Sequence, residues 1–133
     1  PKHIAEVAAV VSDQVKCIFG GAGGKFMIDE MNRGAKGNMP ACEFGDILVK
    51  INNLWQNNNT EEARSLHRKL LPLINLENHP FMRYILMRRG VFSNLIERAP
   101  DGKLSLDKND RHEISELLKV VSPEIESYPF LPE

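Results

Sequence analysis

The sequence predicts an α/β protein that is mostly helical by residue count. Two observations carry this prediction: helical and extended patterns alternate over residues 1–42, and apolar residues recur at three- and four-residue spacing through most of residues 43–133. Alternation of helix and strand is typical of a parallel sheet covered by helices. With 133 residues, 42% of them hydrophobic, the chain has the size of one domain and can bury one core.

The N-terminal part begins with an amphipathic helix. Proline in a first turn, followed by apolar residues at helical spacing, predicts a helix over Pro1–Val11. Short apolar strands are expected over Val15–Phe19 and Gly37–Ala41. Between them we expect a helix over Lys25–Arg33, ended by Gly34.

Glycines cluster between the first strand and the second. Six of the nine glycines lie between Gly20 and Gly37, four of them in the turn Gly20–Gly24. Glycines concentrate where the backbone takes a positive φ or lies close to a ligand. If the chain has a site, we expect it at this turn.

The remainder of the chain is predicted to be helical, with apolar stripes and typical ends. Asn59 or Thr60 is expected to cap the second of its helices and Asp107 the last. Pro72 predicts a kink or an early end near Leu71. Phe92–Leu106 is predicted as a loop with a turn at Pro100-Asp101-Gly102. The first of these helices is expected from Glu43 to about Gln56, the third from about Pro80 to Arg89 and the last from Asp107 to about Val121. The second begins at Asn59 or Thr60 and is expected to bury Ala63, Leu66, Leu70 and Leu73.

Composition narrows the function. With a net charge of −1, the chain lacks the overall excess of basic residues that binding to a phosphate backbone requires, so we expect no nucleic-acid partner. No apolar run approaches a membrane span and no leader is evident, so we expect a soluble cytoplasmic protein. Cys17 and Cys42 fall in the predicted strands, where reduced thiols behave as small buried hydrophobes. The four histidines lack ligand spacing, so no metal site is expected.

Two strands are too few for a stable sheet. Both would be edges with unpaired backbone groups. Further strands are therefore expected from elsewhere, or the strand count is wrong. The first residue, Pro1 rather than Met, also suggests a piece of a longer protein.

The chain resembles the C-terminal part of the dihydrodipicolinate synthase and N-acetylneuraminate lyase family. The resemblance runs from Ile4 to about Val121 and rests on an ordered series of segments: FGGAGG, DEMNRGAKGNMPA, a helix with Asp46 and Trp55, EEARSLHRKLLPL and MRRGV. It implies a Schiff-base aldolase or lyase acting on pyruvate or another 2-oxo acid. The segment MPA with Glu43 and Asp46, and the segment RAP at Arg98–Pro100, look more like the branch acting on 2-keto-3-deoxy sugar acids.

The resemblance implies the C-terminal half of a (β/α)8 TIM barrel with three extra C-terminal helices. Residues 1–42 would hold the last two strands, and residues 43–133 the final barrel helix and the helical extension. Such a barrel needs about 250 residues. The family's Schiff-base lysine, proton-relaying tyrosine and carboxylate-binding hydroxyls would all lie before Pro1, so this chain alone would carry no catalytic residue and need no cofactor. Its expected partners are the missing N-terminal half, a 2-oxo acid and further copies of itself, as a tetramer or dimer.

The candidate substrate-binding residues follow the two strands. They are Gly20, Gly21, Asn38, Met39 and Glu43. In the family, the residue matching Met39 touches the pyruvate portion through its main chain, and the glycine turn would offer backbone to the keto acid. The turn is also consistent with a tight strand-to-helix connection, or with a phosphate cradle.

A purely structural role is open for the side chains around this site. Met39 would fit equally in the core of a barrel. Glu43 and Asp46 lie three residues apart at a helix start, where they would sense substrate or simply complement the helix dipole.

The lysines are expected to be surface charges rather than nucleophiles. Those considered are Lys16, Lys25, Lys36, Lys50 and Lys69. Two alternatives to the enzyme remain open: a non-catalytic helical interaction or scaffold module, and a phosphate-binding barrel half.

Overall fold

The computed structural model describes residues 1–76, 79–96 and 105–130. Within these ranges a two-stranded parallel sheet is followed by packed helices. Three short 3-10 turns occur at Ala22–Gly24, Cys42–Phe44 and Ser122–Glu124. The elements in chain order are α1 Lys2–Ala8, β1 Phe19–Gly20, α2 Met27–Asn32, β2 Gly37–Asn38, α3 Gly45–Gln56, α4 Thr60–Ile74, α5 His79–Arg88 and α6 Lys108–Val121.

The sheet confirms the predicted alternation of helix and strand but is smaller than predicted. Phe19 lies opposite Gly37 and Gly20 opposite Asn38 in a parallel register. The pattern over Val15–Phe19 therefore yields a strand only at its last residue. Each strand has one neighbour within the described residues, so hydrogen bonds can hold only one of its sides.

Two N-terminal predictions are wrong. The first helix ends at Ala8 rather than Val11, and it has no buried residue. Cys17 and Cys42 are both exposed, not buried as predicted. Cys17 lies before the short strand β1 and Cys42 begins a 3-10 turn after β2, so neither has sheet neighbours to cover it.

The core lies among α2 and the four C-terminal helices. Helix α3 begins at Gly45, after a 3-10 turn that holds Glu43, and packs against α4. The apolar stripes predicted for these helices are confirmed. Fully buried side chains at the centre of this core include Phe44, Ile47, Ile51, Leu70, Leu73, Phe81, Ile85 and Val121.

The prediction that Pro72 ends its helix early is wrong. Helix α4 continues through Pro72 to Ile74. Proline removes the bond to the carbonyl four residues earlier, which here belongs to Arg68. Pro72 and Arg68 are both exposed, so water can satisfy that carbonyl.

The ends of the last two helices agree with their sequence signals. Asp107 caps α6 in a capping box, since its Oδ1 accepts from Asp110 N and its own N donates to Asp110 Oδ2, both at 2.9 Å. Helix α5 starts one residue earlier than predicted. Residues 92–96 and 105–106 form no regular element, as predicted for this loop, whereas its predicted turn at Pro100–Gly102 lies outside the described residues.

Candidate functional site

The glycine-rich turn leaves the carboxyl end of β1 and leads into α2. Its backbone takes three successive positive φ values, 51° at Ala22, 63° at Gly23 and 91° at Gly24. At Gly24 a side chain would be strained by this conformation, and a Cβ would lie 2.9 Å from Leu48 Cδ2. The sequence signal at this turn therefore reports a real backbone requirement.

Three of the predicted site residues come together around a buried carboxylate, that of Glu30. Asn38 Nδ2 donates to Glu30 Oε2 at 2.8 Å and to Gly21 O at 3.3 Å. A Cβ on Gly20 would lie 1.8 Å from Glu30 Oε2, so only glycine permits this approach. The side chains of Glu30 and Asn38 thus fix β1, β2 and the start of the glycine turn relative to one another.

Met39 lies beside this cluster, with its side chain directed outward. Its N donates to Gly20 O at 3.0 Å, which extends the pairing of the two strands by one bond. The side chain is 68% exposed and so forms no part of the core of the described residues. Met39 is therefore positioned by its main chain, and its thioether side chain is left at the surface.

Glu43 is placed differently from the other predicted site residues. Its side chain is buried in the turn before α3, and its carbonyl accepts from Arg89 Nη1. The guanidinium of Arg89 also binds Asp46 through both carboxylate oxygens, at 3.0 and 2.7 Å. Asp46, predicted as a substrate sensor or dipole partner, is thus occupied by a buried arginine.

Arg89 also fixes the C-terminal segment. Its Nη2 donates to Ser127 O at 2.7 Å and its Nε to Tyr128 O at 3.1 Å. Sequence reasoning missed this residue, because an arginine at the end of a helix ordinarily faces water. Its role follows only from the tertiary contacts that surround it.

His67 was missed in the same way. It is buried in α4, and its Nε2 donates to Gly24 O at 2.9 Å. Burial lowers the pKa of His67, opposed in part by this bond. The available signal was its place on the apolar face of α4, between Ala63 and Leu70. His67 therefore anchors the glycine turn to the helical core.

Four of the lysines considered above lie in the described residues as ion-paired or exposed side chains. Lys50 Nζ and Lys69 Nζ bind the two oxygens of Glu124 at 3.1 and 2.9 Å. The bond to Glu124 raises the pKa of Lys50, whereas an attacking amine needs a lowered pKa. Lys25 and Lys36 are exposed. The prediction of surface charges is confirmed at these positions.

Neither a metal cluster nor a membrane span occurs in the part of the chain that the structure describes. No group of three or more histidine, cysteine, aspartate or glutamate side chains in residues 1–76, 79–96 and 105–130 is arranged to hold a metal ion. Within the same ranges, every helix falls short of the length and apolar character that crossing a bilayer requires.

The fold is that of part of an α/β TIM-barrel protein. A solved structure that it matches is dihydrodipicolinate synthase from Rhodopseudomonas palustris, with a TM-score of 0.77 and 29% sequence identity. The match covers 90% of this chain and 42% of that one, so the chain spans less than half of the length of this relative. No family model and no curated protein matches the chain significantly. The structural match supports a relation to the dihydrodipicolinate synthase family.

Proposed function

We propose that this chain is the C-terminal portion of a Schiff-base aldolase or lyase that acts on pyruvate or another 2-oxo acid. The observation that carries the proposal is the match to dihydrodipicolinate synthase, because it joins a TM-score of 0.77 to 29% identity over 90% of the chain. Residues 1–42 would supply the last two barrel strands. Residues 43–133 would supply the final barrel helix and the helical extension.

The geometry of the glycine turn supports a role as one wall of the substrate pocket. Active sites of TIM barrels form at the carboxyl ends of the strands. Both the turn Gly20–Gly24 and Met39 follow the carboxyl ends of parallel strands. Gly20 and Gly21 would offer backbone to the keto acid, while Asn38 and the carboxylate of Glu30 hold that backbone in place.

The nucleophile would come from outside this chain. Schiff-base formation needs an amine that is neutral when it attacks, and a proton donor and acceptor beside it. The bond to Glu124 raises the pKa of Lys50, and Lys69 Nζ also binds Glu124, which argues against either lysine as the attacking amine. We therefore expect the chain alone to be inactive, and the reaction to require the N-terminal half of the barrel.

The exposed sheet supports this need for a second half. Phe19 of β1 is 50% exposed and Met39 after β2 is 68% exposed. Further strands would cover these side chains and pair the outer edges of both strands. The complete protein would be cytoplasmic and assemble as a tetramer or dimer. Its substrate would be a 2-keto-3-deoxy sugar acid if the resemblance of the MPA segment to that branch of the family holds.

The experiment is reductive trapping. The full-length protein is incubated with pyruvate and borohydride, and intact mass is measured against a sample that receives borohydride alone. We expect one added carboxyethyl group per chain in the full-length protein, formed by reduction of the imine between a lysine and pyruvate, and no addition to residues 1–133 expressed alone. An unmodified full-length protein would contradict the proposal.

A second candidate is a non-catalytic helical interaction module. The observation in its favour is that α3, α4, α5 and α6 share one core, which needs no contribution from β1 or β2. This candidate predicts a natural product of about the mass of this chain that folds alone. A natural product of about twice that mass, as a barrel of about 250 residues requires, favours the enzyme.

A further inference from the structure

A groove between α2 and α4 carries an excess of positive charge. It encloses about 260 Å³ and is lined by Lys25, Arg64, His67 and Arg68. The carboxylate among its described lining residues, that of Asp29, already accepts from Arg33 Nε at 3.0 Å. The groove is therefore lined by three side chains that carry a positive charge, whereas the carboxylate of Asp29 is already paired with Arg33.

The two arginines of this groove lie close enough to repel each other. Arg64 and Arg68 lie one helical turn apart in α4, and like charges at that spacing repel. Within residues 1–76, 79–96 and 105–130, neither arginine lies within ion-pair distance of a carboxylate. An anion bound between the two guanidinium groups would relieve this repulsion.

The guanidinium of Arg64 is already held in position. It lies over the ring of Trp55, with 5.4 Å from Cζ to the ring centroid. A stacked guanidinium keeps its N–H groups available at the edge of its plane. Such a group loses less conformational freedom on binding an anion than a flexible side chain does.

The opposite wall of the groove is partly apolar. Phe26 and Ile28 line it, and Phe26 is 40% exposed. The volume is at the small end of the range of ligand pockets. A ligand that fits both walls carries two negative charges on a short carbon body.

We propose that this groove binds a small organic dianion, a phosphate monoester or a dicarboxylate. Arg64 and Arg68 bind its charged group, because guanidinium groups hold phosphate and carboxylate oxygens in pairs. Lys25 adds a third positive charge and Phe26 contacts the carbon body. His67 lies in the wall of the same groove and donates to Gly24 O, so the ligand would lie next to the residue that anchors the glycine turn.

Calorimetric titration of the full-length protein tests this proposal. The probes are glycerol 3-phosphate and succinate, with inorganic phosphate as a third arm that lacks the carbon body. Ionic strength is held constant with sodium chloride, because exposed charges are screened by salt. We expect saturable binding of at least one organic dianion, more tightly than inorganic phosphate.

Single substitutions locate the site. Arg68→Gln and Arg64→Gln are each expected to weaken binding about tenfold, because each removes a charge-assisted hydrogen-bond donor. Arg111→Gln is the matched control, since Arg111 also stacks on an aromatic ring, that of Tyr84 at 5.8 Å. It should leave affinity unchanged.

Four results would overturn the proposal. They are the absence of saturable binding by both organic probes, inorganic phosphate binding as tightly as either, unchanged affinity in both groove variants, and an equal loss in Arg111→Gln. The groove residues lie outside the glycine turn and the trapping reaction does not involve them. Reductive trapping by pyruvate would therefore stand or fall independently of this result.

Discussion

The two parts of this chain are held together by different means. In residues 43–130, helices α3, α4, α5 and α6 each place three or more buried side chains in one core. In residues 1–42, α1 has no buried residue and the two strands pair over two residues each. Only α2 of this N-terminal part joins the core, through Met27, Ile28 and Met31.

This difference shows that an apolar stripe is buried only where another element of the structure packs against it. Helix α1 has apolar residues at helical spacing, as α3 does, yet Val10 just beyond it is 82% exposed whereas Ile47 is fully buried. The apolar stripe of α3 packs against α4 of the same chain. Under the proposed function, the partners of α1, β1 and β2 belong to the other half of the barrel.

The largest expected effect is in the helical part, at Arg89. Arg89→Met should lower the free energy of unfolding by about 3–5 kcal/mol, because it leaves the largely covered carboxylate of Asp46 without the buried cation that pairs with it. Urea denaturation of the full-length protein measures it. The control is Arg33→Met, whose pair with Asp29 is exposed and should contribute less than about 1 kcal/mol. Equal losses in both variants would mean that Arg89 is not a structural centre.

A cavity in the helical core should lower the free energy of unfolding slightly less than the loss of Arg89. Leu70→Ala removes a fully buried side chain of α4 and should lower the free energy of unfolding by about 2–5 kcal/mol. Val49→Ala, on the exposed face of α3, should change it by less than about 0.5 kcal/mol. The same denaturation experiment compares them. A loss of this size at Val49 would show that the helical part also has an unseen neighbour.

The glycine turn should respond to substitution at one position and not the next. Gly20→Ala places a Cβ against Glu30 Oε2 and Asn38 Nδ2, and the displacement should cost about 1–3 kcal/mol. Gly21→Ala is the matched control, because no atom lies within 4 Å of the added Cβ. Thermal unfolding of the two variants measures the difference. Equal stability would contradict the close packing of Glu30 beneath Gly20.

The smallest effect concerns His67, which connects the two parts. Burial lowers its pKa below the usual 6.5, so the unfolded chain binds more protons at mildly acidic pH. Stability should therefore fall as the pH falls below about 6.5, by at most about 1.4 kcal/mol per pH unit for one proton. In His67→Gln, which keeps a donor toward Gly24 O, this component should be absent. Denaturation from pH 7.5 to 5.5 in phosphate-free buffer tests it, and identical pH profiles would refute the assignment.

Local chemistry predicted the helical part well. The capping box at Asp107 and the stripes of α3 and α4 are set by residues close in sequence, so the pattern contains the information that is needed. The pattern failed at Pro72. A proline interrupts a helix less when the carbonyl that loses its hydrogen bond faces water, and the local sequence does not show which face that is. It also failed at Cys17 and Cys42, whose burial depends on sheet neighbours.

The candidate site was predicted only in part. The glycine turn was predictable from the sequence, because the positive φ at Gly24 and the close approach of other atoms at Gly20 each require glycine. Glu30, His67 and Arg89 did not, because each acts through a partner at least eight residues away in sequence. The use of the turn as a substrate wall stays a prediction, based on the resemblance.

Under the proposed function, this chain shapes the pocket but does not carry the nucleophile. Peptide mapping of the full-length protein after treatment with pyruvate and borohydride tests it most directly. We expect one modified lysine, outside the 133 residues of this chain. A carboxyethyl group on any lysine between Pro1 and Glu133, or on no lysine at all, would contradict this assignment.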